Sequence, residues 1–254
     1  MGSRTALVTG ATVGIGRSFA HQLAARGHDL VLVARDAPRL QHEAELLTSR
    51  HGCVVEVIVA DLTDREQLAT VEARLSDDEH PIDLLVNNAG FGLKDRFLDH
   101  SVEDEQAMLD VLVVAVMRLS HAALSSMAGR GHGGVINVAS VAAFLPRGTY
   151  GAAKAWVVSF GEWAAAEYRP RGVTVTTVCP GFTRTEFHAR MDVAADSAPG
   201  FMWLDACDLV RQTLRDHDRG RPLSVPGVPY KAIVGVAHLV PPRVLLRFQS
   251  LGRR

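Results

Sequence analysis

Short runs dense in β-branched and other apolar residues recur along the chain, at 5–9, 30–34, 54–60, 82–87, 135–139 and 173–178. Most are apolar at consecutive positions rather than alternating, the pattern of strands covered on both faces by other elements. Between them lie stretches with helical spacing, at 15–26, 39–50, 64–75, 103–127 and 150–168. Strand and helix in strict alternation predict an α/β fold, a doubly wound parallel sheet flanked by helices. The run at 82–87 follows the helix at 64–75 without a linker, and no repeat or low-complexity segment interrupts the rhythm. A single domain over residues 1–254 is expected.

The last third reads differently. Residues 182–204 have no clear period, and Ala198-Pro199-Gly200 marks a turn. Phe187, Met191, Phe201, Met202 and Trp203 give this stretch apolar side chains, so a substrate lid at about 182–205 is expected rather than disorder. A short helix near 205–216, the prolines Pro222, Pro226 and Pro229, and a C-terminal extension at about 229–254 follow. That extension sets Lys231, Arg243, Arg247, Arg253 and Arg254 among apolar residues. Peripheral membrane contact is one use of such a segment. A tail that covers the substrate side of the fold is the preferred reading.

Composition narrows the function class. With 47% hydrophobic and 22% charged residues the chain is globular rather than disordered. Its net charge of −1 argues against a protein built to grip nucleic acid. Cys53, Cys179 and Cys207 contain no C-x-x-C, and the eleven histidines show no ligand spacing. Neither a disulfide framework nor a metal site is expected, and a reducing, cytoplasmic setting fits. No apolar run of 18 to 20 residues was found that would span a bilayer.

Two motifs carry chemistry. Gly10-Ala11-Thr12-Val13-Gly14-Ile15-Gly16 joins the first strand to the first helix. Glycines there let the backbone approach a pyrophosphate at the exposed N–H groups of the helix start. The plain alternative is a tight strand–helix turn. Tyr150 and Lys154 lie four apart in a predicted helix and so share a face. A cation beside a phenol lowers its pKa from about 10, which suits proton exchange near neutral pH. With only three tyrosines and three lysines in the chain, a chance Y-x-x-x-K is expected only about 0.04 times. Ser140, at the end of the preceding strand, could hold a substrate carbonyl or simply be structural.

Taken together these residues resemble the short-chain dehydrogenase/reductases of the single-domain, roughly 250-residue type. The resemblance rests on Thr9-Gly10-x-x-x-Gly14-Ile15-Gly16, Asp61-Leu62, Asn87-Asn88-Ala89-Gly90, Ser140, Tyr150-x-x-x-Lys154 and Pro180-Gly181-x-x-x-Thr185, in that order. It implies a Rossmann-like sheet and hydride transfer between a nicotinamide cofactor and a carbonyl or alcohol substrate. Tyr150 would then be the proton donor, Ser140 would orient the carbonyl, and Lys154 would bind the ribose and lower the tyrosine pKa. Gly10, Thr12, Gly14, Ile15, Gly16, Asp61, Leu62, Asn87, Ala89, Gly90, Pro180, Gly181, Thr183 and Thr185 would bind the cofactor. Arg35, after Ala34 at the end of the second strand, suits a 2′-phosphate, so NADP(H) is expected over NAD(H). Apolar surfaces on the two long interior helices imply a homodimer or homotetramer. The chain departs from the family twice: Leu112 stands where an asparagine is usual, and Ser140 and Tyr150 are ten residues apart, about three fewer than usual. An apolar ketone or alcohol of acyl, steroid or polyketide type is the expected substrate. The alternative is a non-catalytic NADP-binding regulatory or scaffold protein.

Overall fold

Alternate residues of the central strands serve two different cores, one on each face of the sheet. The computed structural model describes residues 4–93, 97–145, 148–185 and 199–239. Among these, seven parallel strands take the order β3-β2-β1-β4-β5-β6-β7. They are β1 (Arg4–Thr9), β2 (His28–Ala34), β3 (Val55–Val59), β4 (Leu84–Asn87), β5 (Gly133–Val138), β6 (Val173–Val178) and β7 (Leu223–Ser224). On one face Leu7, Val31, Val33, Leu85 and Val135 pack together; on the other, Ala6, Val8, Leu30, Leu32, Val86 and Ile136 do. This two-sided burial is why the runs do not alternate.

Helices close both faces. α1 (Gly14–Ala24), α2 (Ala37–His51) and α7 (Ala206–Asp218) cover the second core with Phe19, Leu23, Leu40, Leu47, Leu209 and Leu214. The first is covered by α3 (Arg65–Leu75), α5 (Val116–Arg130) and α6 (Gly148–Tyr168), which bring Leu68, Val71, Leu119, Met127 and Ala164. Fully burying a side chain such as Phe19 or Leu47 contributes about 1.5–3 kcal/mol, and both are at 0% exposure.

The six apolar runs are strands, each end within two residues of its expected place. Two features differ from expectation. The two-residue β7 is too short to show any period. The stretch at 103–127 is not one regular helix: α4 (Val102–Leu109) passes through a π-helical turn, Asp110–Ala115, into α5. The combined stretch Val102–Arg130 is long and apolar enough to cross a membrane, beyond what the runs indicated. Its Leu112, Ala115, Leu119 and Met127 are buried against the protein interior, which explains that hydropathy as core packing. Of the expected lid, residues 186–198 lie outside the described residues, as do 240–254 of the expected C-terminal extension. The described part of that extension lies in α8 (Val228–Leu239).

Candidate active site

The strand order reverses between β1 and β4, and the crevice beyond their carboxyl ends is where such sheets bind ligands. A cavity of about 500 Å³ opens there. Its floor is stitched across the reversal. Thr9 Oγ1 accepts hydrogen bonds from the N–H groups of Asn88 and Ala89, each at 3.0 Å. The Asn88 side-chain amide donates back to the carbonyls of Thr9 (2.8 Å) and Gly10 (3.2 Å). Gly16 is required by this knot: a Cβ there would lie 2.2 Å from the Gly10 carbonyl oxygen and 2.3 Å from Asn88 Nδ2.

The helix that starts at the cavity is left open at its end. Asp36, Asp64, Ser101 and Asp205 each cap their helix through a side-chain oxygen, whereas Val13 at the start of α1 supplies none. The first-turn N–H groups of α1 therefore remain available to an anion, with Gly14 and Ile15 on the cavity wall. A pyrophosphate fits this end of the site.

Gly10, Thr12, Gly14, Ile15, Arg35, Asp61, Leu62, Ala89, Gly90, Ser140, Tyr150, Lys154, Pro180, Gly181, Thr183 and Thr185 all line the cavity. Gly16 and Asn87, also read as cofactor residues, stand behind the wall. Asn87 is buried and its amide donates to Ser120 Oγ (3.0 Å) and Asn137 Oδ1 (2.9 Å), tying β4 to β5 and α5. Asn88, within the motif Asn87–Gly90, lines the cavity too, and so does Arg39, which was not singled out from sequence. Arg39 lies four residues beyond Arg35, so helical spacing could have found it.

On the rim beside the carboxyl end of β2, Arg35 reaches Asp61 (Nη1–Oδ2, 3.4 Å) and its side chain is 65% exposed. Burial pushes the Asp61 carboxyl up, but the Thr63 N–H and hydroxyl and the Arg35 guanidinium outweigh it and hold the carboxyl below the usual range. Asp36, next to Arg35 in sequence, also lines the cavity. It caps α2 by accepting from Arg39 N (3.1 Å) and pairs with the Arg39 side chain at 3.5 Å.

At the other end Tyr150 and Lys154 share one face near the start of α6, with Lys154 Nζ 5.8 Å from the tyrosine ring centroid. Ser140 caps the short turn Val141–Phe144 by accepting from Ala142 N at 3.1 Å. Its hydroxyl also hydrogen-bonds Tyr150, so the ten-residue spacing still brings the two together. Lys154 is buried and donates to the Val138 carbonyl at 2.7 Å.

The electrostatics correct one expectation. Burial pushes the Tyr150 phenol up to about 12, against the opposing hydrogen bond from Ser140. Burial also pushes the Lys154 amine down to about 8, with neighbouring Cys179 opposing. In the protein by itself, desolvation thus overrides the assistance expected from the lysine, and the phenol stays protonated at neutral pH. Leu112 is buried with Met108 and Ala153 beside Tyr150 and Phe91, and its Cδ2 would lie 2.8 Å from a Cβ at Gly90. The π-helical turn brings Val111 and Leu112 onto the cavity wall, a common place for such a bulge.

Residues 4–195 match the short chain dehydrogenase family. The chain belongs to that family. It is 32% identical over 249 residues to an uncharacterized oxidoreductase of Mycobacterium tuberculosis, covering 95% of this chain and 96% of the relative. A short-chain dehydrogenase from Sphingobium yanoikuyae in complex with NADPH superposes with a TM-score of 0.85 at 35% identity, over 92% of this chain and 94% of that one. A bulky-bulky ketone specific alcohol dehydrogenase from Comamonas testosteroni gives 0.81 at 32% identity, over 95% and 96%. This short-chain dehydrogenase is therefore an oxidoreductase of the hydride-transfer kind.

Proposed function

We propose that the enzyme reduces bulky, apolar ketones with NADPH and oxidises the matching secondary alcohols in reverse. The observation that carries this reading is the apolar wall of Phe91, Val111 and Leu112 in the same cavity as the Ser140–Tyr150 pair. The ketone preference named for the Comamonas testosteroni structure supports it. When bound, the nicotinamide cofactor supplies the hydride. Tyr150, protonated at neutral pH, gives its proton to the carbonyl oxygen, and the Ser140 hydroxyl orients that oxygen. Lys154 keeps N–H donors for the ribose beyond the one spent on Val138.

Preference for NADPH is assigned to Arg35, with Arg39 beside it on the rim. Each of these arginines holds a carboxylate on the same rim, Arg35 with Asp61 at 3.4 Å and Arg39 with Asp36 at 3.5 Å, and a 2′-phosphate there would take over those contacts. A homo-oligomer fits α6, where Trp156, Phe160 and Trp163 form an aromatic ladder and Trp163 is 54% exposed. The free cysteines Cys53, Cys179 and Cys207 fit a cytoplasmic setting. The direct test is NADPH consumption by the purified protein across ketones of graded bulk. Turnover should rise with the size of both flanking groups; consumption of NADH alone, or none with any ketone, would oppose the proposal.

A further inference from the structure

The side that α4 and the π-helical turn press against α6 is apolar at Met108 and Leu112, both fully buried. Three residues before Met108, on the same stripe, stands Glu105, which is only 6% exposed. Its acidic neighbours Glu103 and Asp104 are exposed. A carboxylate at such a position is costly unless a donor meets it. The donor is the Thr149 hydroxyl, 2.5 Å from Glu105 Oε2. Among the described residues it is the one hydrogen-bond partner of that carboxylate.

Thr149 directly precedes Tyr150, and both lie in the first turn of α6. That turn is the weakest part of a helix, because its N–H groups have no acceptor four residues back. α6 carries no acid of its own there, and the chain enters it through Gly148 at a φ of 64°. Glu105 supplies the negative charge from α4, at the helix end where the macrodipole favours it. Tyr150 packs on Met108, Leu112 and Ala153, and its phenol meets Ser140. A buried carboxylate–hydroxyl pair between two helices is ordinarily a structural tie. This one sits one residue from the proton donor, in the turn least able to hold it.

We propose that Glu105 is a positioning residue: through Thr149 it pins the first turn of α6 and so holds the Tyr150 phenol against Ser140. The proposal rests on the reductase reading above for its substrate. Glu105→Met keeps the length and removes the acceptor, whereas Glu105→Gln keeps an acceptor oxygen. Losing a hydrogen bond to a charged group should raise the open population of the turn about tenfold or more. Misplacing a reacting group by about 1 Å costs up to about 10²-fold in rate. With NADPH saturating, Glu105→Met should therefore lower kcat for the ketone about tenfold, with KM and NADPH affinity each within about twofold of the parent. Thr149→Val should do the same, and the double variant should be no slower than either single one. Glu105→Gln should keep kcat within about twofold. Amide exchange at Ala152 and Ala153, whose N–H groups reach back to Gly148 and Thr149, should be about tenfold faster in Glu105→Met and parental in Glu105→Gln.

A merely structural tie would lower the melting temperature of Glu105→Met and Thr149→Val and leave kcat unchanged in both; that result overturns the proposal. An equal loss of kcat in Glu105→Gln overturns it too, because the hydrogen bond would then not be what acts. Should Glu105→Met fail to fold, Thr149→Val carries the same kcat test. If the parent enzyme reduces no ketone, faster exchange in Glu105→Met that Glu105→Gln restores still upholds the pin, and the failure falls on the reductase reading alone. Unchanged exchange overturns the pin itself.

Discussion

Replacing Lys154 with methionine should make the cofactor-free protein more stable while abolishing its activity. The lysine is 5% exposed and burial drives its amine from 10.5 down to about 8. That fall of about 2.5 pH units, at about 1.4 kcal/mol each, makes the charged form cost about 3 kcal/mol at pH 7. Methionine has a similar length and carries no charge, but it leaves the Val138 carbonyl without this donor, at about 1 kcal/mol. The net gain is about 1–3 kcal/mol, or several degrees in Tm. The sign with pH is definite. Because the folded pKa lies below the unfolded one, the unfolded chain binds more protons between pH about 8 and 10.5. Parent stability therefore rises through that window, and the variant's advantage, full below it, is lost above it and gives way to the cost of about 1 kcal/mol for the missing Val138 donor. Calorimetry of both proteins at pH 7 and pH about 9.5 reads this directly. A variant less stable than the parent at pH 7, or an advantage that ignores pH, would refute the reasoning.

Arg35→Glu should weaken NADPH binding roughly ten- to a hundredfold and leave NADH binding nearly unchanged, since a charge-assisted contact contributes about 1.5–3 kcal/mol. Fluorescence titration with both cofactors checks it, and an equal loss for both would contradict the assignment. Alcohol oxidation needs a proton acceptor, and a phenol at about 12 resists that role. Its rate should climb steadily from pH 7 to about 10 while ketone reduction stays flat over the same range; single-turnover rates decide this. Leu112→Asn should lower stability by about 1–3 kcal/mol by burying an amide among Met108, Ala153 and Phe91. Ketone turnover at saturating NADPH should be at or above the parent's, and an unchanged melting temperature would show the site to be wetter than its packing indicates.

The strands were legible because two-sided burial leaves few charged positions inside them, as in the run Leu30-Val31-Leu32-Val33 of β2. The π-helical turn was not, because Asp110–Ala115 holds no Gly or Pro to mark it and a one-residue change of phase leaves composition untouched. At the site, residue types at fixed spacing identified what lines the cavity: Tyr150 and Lys154 by the helical turn, Gly10 and Gly14 by the loop. What spacing does not encode is distance from the ligand. Gly16 and Asn87 share motifs with lining residues but stand behind the wall, Gly16 in close packing and Asn87 between strands. Nor does it encode solvation. The tyrosine–lysine pair predicts a lowered phenol, and only the burial of both groups reverses the direction. Glu105 was invisible for a third reason: its partner Thr149 lies 44 residues away, in another helix.

One comparison tests whether Tyr150 delivers the proton in an NADPH-dependent ketone reduction. The parent and Tyr150→Phe, each saturated with NADPH, are given the same bulky ketone, and loss of NADPH absorbance is followed. Removing one hydroxyl should leave cofactor affinity nearly intact and cut turnover by about 10²-fold or more. A phenylalanine variant that reduces the ketone at the parent rate would contradict the mechanism.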